Sequence, residues 1–152
     1  MRIPVHSIQC RVFIKPNDDV DLVRRTFLSL FPFDLVEEKI TLGEERIQGL
    51  ERLTIVERVQ LTKSKHINMF ITKFLAMLSG DDAELIVEQR ESRLDEEGMF
   101  YVRLDKKDLL NGTATLTDGG DCFHIIFEME AFPKKREGQL YNVTKVFKKG
   151  VT

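Results

Sequence analysis

Two stretches alternate with the period of a half-buried strand, and they limit the fold more than any other feature of the chain. In residues 3–15, Ile8, Cys10, Val12 and Ile14 fall on one face while Gln9, Arg11 and Phe13 fall on the other. Downstream, Phe123, Ile125, Phe127, Met129 and Ala131 share a face until Pro133 ends the run. Strands of this kind need an apolar layer against one side only. Helical stripes supply it. Asn17 is placed to cap a helix over 18–31 in which Val20, Val23, Phe27, Leu30 and Phe31 align, with Asp18, Asp19 and Asp21 at the end where the helix dipole favours anions. Ile67, Phe70, Ile71, Phe74, Leu75 and Leu78 mark a second helix over 63–79, and Leu140, Val143 and Phe147 a last one over 136–149.

Between these, Leu35-Val36, Lys39–Leu42 and Leu53–Val56 read as two strands and a loop, with bends at Gly43 and Gly49. A short helical turn is expected over 81–89. Asp95-Glu96-Glu97-Gly98 reads as a hairpin turn, with Arg90 and Arg93 on its first strand and Phe100, Val102 and Leu104 facing inward from its second. A short helix over 105–111 and a second hairpin turning at Asp118-Gly119-Gly120 follow. No regular βαβ repeat runs through the pattern, so the expected class is α+β: a two-layer sandwich, an antiparallel-rich sheet with helices on one face, spanning 1–152 as one domain.

Charge is balanced overall, at −2 over 152 residues, but not locally. Residues 81–97 hold eight acids against two arginines, whereas 62–80 hold three lysines and no acid, and 134–149 hold six bases against Glu137 alone. Lys63, Lys65 and His66 open the second helix, and Lys134, Lys135 and Arg136 the last, against the helix dipole. Backbone N–H groups beside cations suit a phosphate; the competing reading is solvated helix ends. Tyr101 and Arg103 face away from the core and offer stacking plus a guanidinium, while Lys106 adds charge.

Catalytic signatures are missing: there is no phosphate-cradling glycine loop and no nucleophile elbow. His6, His66 and His124 are not at ligand spacing, and Cys10 and Cys122 form no metal knuckle, so no enzyme, cofactor or metal is expected. The start at Met1-Arg2-Ile3-Pro4 lacks an apolar signal core, and no stretch reaches the roughly 18–20 apolar residues of a membrane span, giving a cytoplasmic expectation.

Residues 90–107 (RESRLDEEGMFYVRLDKK) and 129–137 (MEAFPKKRE) resemble an archaeal family of predicted RNA-binding proteins or exosome subunits, marked by a DEEG-x-x-Y-x-R-x-DK hairpin and an A-[YF]-P-x-K-R-E turn. The resemblance implies a fold like that of the large-ribosomal-subunit protein that contacts 5S RNA, and a non-enzymatic role in RNA binding or processing. Its motif positions here are Asp95, Gly98, Tyr101, Arg103, Asp105, Lys106, Lys135 and Arg136. The loop Glu44–Leu50 lacks the His-Gly-rich character of many relatives. The first reading is therefore a binder of structured RNA through Lys63, Lys65, Tyr101, Arg103, Lys106, Lys134, Lys135 and Arg136. The second is a protein-interaction or dimerisation adaptor using exposed Phe13, Ile126 or Phe132, with RNA-processing proteins as partners. A sheet-edge homodimer is compatible with both.

Overall fold

The computed structural model describes residues 3–49 and 53–148. These form β1 (Val5–Ile14), α1 (Val20–Leu28), β2 (Gly43–Gln48), β3 (Leu53–Leu61), α2 (Ser64–Met77), α3 (Gly80–Glu88), α4 (Arg90–Arg93), β4 (Met99–Asp105), α5 (Lys106–Leu110), β5 (Cys122–Met129) and α6 (Arg136–Phe147). The strands make one antiparallel sheet in the order β2-β3-β1-β5-β4. The α+β sandwich expected from the sequence is the observed architecture.

The two alternating stretches lie side by side as β1 and β5, with Cys10 opposite Ile125 and Val12 opposite Phe123. Their apolar positions face three helices. Phe27 of α1 stacks on Phe123 with ring centroids 6.3 Å apart, Phe74 of α2 reaches Phe127 at 5.6 Å, and Phe147 of α6 meets Phe127 at 5.1 Å and Phe100 at 5.4 Å. Each such side chain contributes about 1.5–3 kcal/mol through burial, which is why α2 forms although no side chain caps it. Among the described residues the most deeply buried polar group is on β3. Glu57 of β3 is wholly buried opposite Val12 and takes the Nε–H of Arg24 at 3.0 Å.

Several local expectations are corrected. Asp19, not Asn17, caps α1, accepting the N–H of Leu22, and the helix ends at Leu28. Residues 35–42 are not strands. Asp34 accepts the N–H of Glu37 through its carboxylate, the backbone turns back at Lys39 (φ 57°), and Leu35 is folded under the turn. The strands come later, with β2 occupying most of the presumed Glu44–Leu50 loop; Leu50 lies outside the described residues. Residues 80–88 form a full helix capped by Ser79. Arg90 and Arg93 lie on α4 rather than on a strand, and only Leu94 bridges back to Phe100.

The second hairpin does not form either. The segment before Asp118 joins the other edge, where Leu116 bridges Leu104 and Thr117 N–H bonds Arg103 C=O at 3.1 Å. The last helix stops at Phe147, short of Lys149, which lies outside the described residues, as do Met1 and Arg2 of the start discussed above. No helix among the described residues is long and apolar enough to cross a membrane.

Candidate nucleic-acid interface

The hairpin motif at 95–105 is largely architectural. Asp95 accepts the N–H groups of Glu97 and Met99, both at 2.9 Å, and the Tyr101 hydroxyl at 3.0 Å. Burial pushes this carboxyl up, but those bonds outweigh it and hold it below the ordinary carboxylate range. Gly98 sits at φ 88°, the left-handed region that favours glycine, and packs against the Gln139 side chain of α6, which a Cβ would have to displace. Asp105 caps α5.

Lys106 is the clearest departure. Its side chain is 2% exposed, and its ammonium bonds Phe13 C=O at 2.6 Å, Asp18 at 3.0 Å and Asp121 at 2.7 Å. Every donor is committed inside the protein, so Lys106 is removed from the RNA-contact set. Arg136 stays exposed, but its fork donates to Leu94 C=O at 3.1 Å and Glu91 C=O at 2.7 Å, tying α6 to α4.

The two lysine clusters reach one end of the sheet. Leu61, just before α2, pairs with Ile8, and Met129, upstream of α6, pairs with Val5, so both helix starts flank the first residues of β1. Lys63 and Lys135 are the N-cap residues, and neither caps its helix through its side chain. Acids face both clusters, however. Glu38 lies 3.0 Å from Lys65, and bonds from Lys65 and then His66 hold its carboxyl below its ordinary value. His66 is buried against Phe33 and leaves the surface. Lys134 and Arg136 line a cleft with Asp95 and Glu96.

The open face of the sheet is different. The pairing sets Arg58, Arg11, His124 and Arg103 in one row across β3, β1, β5 and β4. Side chains so placed lie about 4.5–5.5 Å apart at Cβ, and like charges directly opposite repel. Glu45 neutralises Arg58 at 2.9 Å. No carboxylate among the described residues pairs with Arg11 or Arg103. Both instead approach His124: Arg11 Nε–H donates to Nδ1 at 3.0 Å, and Arg103 Nε lies 3.4 Å from Nε2. A neutral imidazole has one acceptor nitrogen and an imidazolium has none. The shorter Arg11 bond takes that acceptor, leaving Arg103 Nε unsatisfied by the ring. Burial, and then the charges of Arg11 and Arg103, lower the His124 pKa from 6.5 to about 4.

Beside this row lie Gln60, Gln9, Ile126 and Tyr101, the last with its ring 5.9 Å from that of His124. Ile126 is only 9% exposed and offers no docking surface. Alternation alone marked Arg11 and Arg103 as outward-facing. Their meeting over His124 depends on register and strand order, which the sequence does not display.

Comparison with known proteins gives the family. Residues 7–129 match the family described as RNA binding. The chain belongs to that family. RNA-binding protein PAB1135 of Pyrococcus abyssi (strain GE5 / Orsay) is 27% identical over 137 residues, covering 90% of this chain and 89% of that protein. The crystal structure of protein AF2318 from Archaeoglobus fulgidus, a DUF54 protein, matches with a TM-score of 0.79 at 25% identity, over 93% of this chain and 97% of that one. Mth689 from Methanothermobacter thermautotrophicus, also a DUF54 protein, matches with a TM-score of 0.74 at 26% identity, over 94% and 98%. RNA binding is thus the family-level function.

Proposed function

We propose that this chain binds structured RNA without chemical catalysis, on the open face of its sheet, in RNA processing or ribosome-related work. The observation that carries the reading is the cross-strand row, in which Arg11 and Arg103 stand without carboxylate partners beside the Tyr101 ring. Guanidinium groups left unpaired by acids suit phosphate oxygens, and an aromatic beside them suits an unstacked base. Lys63, Lys65, Lys134 and Lys135 extend the positive surface at one end, and Arg136 contributes charge while holding α4.

The test is a fluorescence-anisotropy titration against an RNA hairpin, a single strand and a DNA duplex at several salt concentrations. With about five phosphate contacts, the log–log salt slope for the hairpin should lie near −4. The double variant Arg11→Gln, Arg103→Gln should weaken hairpin binding at least about tenfold, the energy of one lost charged hydrogen bond or more. Unchanged affinity and slope in that variant would overturn the open-face assignment.

A second reading rests on Phe132 and Tyr141, 85% and 68% exposed, which share a cleft with Lys135. Two bare aromatics at one site suit a protein partner. Phe132→Ala with Tyr141→Ala would then abolish partner binding and leave hairpin affinity intact. In this reading the β2 edge, charged through Glu44, Glu45 and Arg46, is a poor seam for a homodimer.

A further inference from the structure

Where the open face turns over the edge of β4, a cleft of about 240 Å³ lies between α4 and the segment at 117–118, lined by Gln89, Ser92, Arg93, Tyr101, Arg103, Thr117 and Asp118. That is smaller than the roughly 300–1,000 Å³ of pockets enclosing a whole small molecule, so it suits a chemical group. Two of its walls are guanidinium groups. Arg93 donates to Tyr101 C=O at 3.2 Å and to Gln89 Oε1 at 2.6 Å, and Arg103 to Asp118 C=O at 3.2 Å.

Neither arginine is ion-paired to any described carboxylate, Asp118 included. The Arg93 Nε–H is buried with no hydrogen-bond partner. Such a donor costs about 1–3 kcal/mol, more for a charged group, and an anion near the guanidinium would offset that cost through its charge rather than through a bond to the buried Nε. Burial, and then repulsion from Arg103, lower the Arg93 pKa against the pull of Asp118, so the two cations lie within each other's field. Thr117 accepts Gly119 N–H through Oγ1 at 3.1 Å, which leaves its hydroxyl proton free to donate. Two guanidiniums that form no salt bridge with the neighbouring Asp118, and a spare hydroxyl, line a group-sized cleft in which positive charge exceeds negative and a compact oxyanion finds donors.

We infer that this cleft seats a phosphate group between Arg93 and Arg103, and, resting on the RNA reading above, that the phosphate belongs to the RNA held on the open face. Arg93 is the specificity-determining contact. It adds a directed fork at a defined point of a surface that otherwise attracts phosphate by charge.

The test uses the full chain with three probes: inorganic phosphate, a hairpin with a 5′-hydroxyl and the same hairpin with a 5′-phosphate. His124 reports occupancy, since Arg11 from β1 and Arg103 from β4 face it together with the Tyr101 ring, and an anion against Arg103 relieves their field. Inorganic phosphate should raise the His124 pKa seen by NMR in the wild type and leave it unmoved in Arg93→Gln. Hairpin affinity should fall about tenfold in Arg93→Gln, with the salt slope smaller by about one contact. Arg93→Lys keeps the charge, losing only the fork, and should still lose several-fold; this guards against a glutamine variant that misfolds.

Equal losses with both hairpins identify a backbone phosphate. A loss confined to the 5′-phosphorylated hairpin identifies an end phosphate; both support the seat. Wild-type affinity and slope in both Arg93 variants, while Arg11→Gln weakens binding, would overturn the seat and leave the RNA reading standing. A phosphate-dependent shift of His124 without hairpin binding would do the reverse.

Discussion

Ile126 and Phe127 are neighbours in β5, yet they belong to surfaces with different tasks. Phe127 points into the layer formed by α2 and α6 and touches Phe70, Phe74 and Phe147. Ile126 points to the open face, between Gln9 and Tyr101. The covered face is largely aromatic and aliphatic, with Glu57 held there by Arg24. The open face carries arginine, glutamine, histidine and tyrosine, and its charges are only partly neutralised. The same strands thus divide stability and recognition by parity of position, so changes on one face should leave the other's property almost untouched.

The strongest way to break that division is Phe127→Ala. It removes the ring at the centre of the aromatic cluster and should cost about 3–5 kcal/mol in urea unfolding. Gln9→Ala, one strand away on the open face, should stay within about 0.5 kcal/mol. Comparable losses at the two positions would mean that the open face is itself covered in the folded protein.

A smaller effect is expected at Lys106, which the sequence reading counts among the phosphate contacts and the structure assigns to the interior. Lys106→Met leaves Asp18, Asp121 and Phe13 C=O without their donor, and should cost about 2 kcal/mol, since Asp121 is half exposed and rehydrates. Hydrogen bonding from Lys106 holds the Asp121 carboxyl below its ordinary value. This contribution is present above the unfolded carboxylate range near ~3.9 and is lost as pH falls through the lowered folded value, so the variant should also unfold less steeply with acid. Hairpin affinity of the folded variant should equal that of the wild type; a tenfold loss would return Lys106 to the interface.

The last effect is a pH dependence and concerns His124. Its folded pKa of about 4 lies below the ordinary 6.5, so between these values the unfolded chain binds a proton that the folded protein excludes. Stability should therefore rise with pH across that window and fall as pH drops from 6.5 toward 4. His124→Gln should flatten this slope in urea midpoints taken at pH 4.5, 5.5 and 6.5. A slope that survives the substitution would mean that the arginine pair is not its source.

Much of the covered face was legible. Period-2 runs in β1 and β5 and the stripe Ile67, Phe70, Ile71, Phe74 in α2 are local patterns, and local patterns survive folding because each buries its own apolar side. The segment 35–42 and the hairpin expected at Asp118-Gly119-Gly120 misled because local residue pattern does not reveal which strand partner exists. The first is drawn into a turn by Asp34, and the segment before the second lies against β4. For the interface, Tyr101, Arg103 and the lysines at the starts of α2 and α6 could be singled out by type and position. Arg93 reads as an extension of the Arg103 surface, but on a strand; its actual position depends on α4 being a helix packed on the edge of β4.

The sequence by itself determined the α+β class, which residues line the core, and that positive charge gathers at the starts of two helices, since periodicity and composition are properties of neighbouring positions. Only the tertiary structure decided which cations remain available. It buried Lys106 among two carboxylates and a carbonyl, set acids against the lysine clusters, and brought Arg11, Arg93 and Arg103 to the open face and the β4 edge without a salt bridge to any described carboxylate. The physical reason is that ion pairing and desolvation depend on distances between residues far apart in the chain, and strand order and register set those distances.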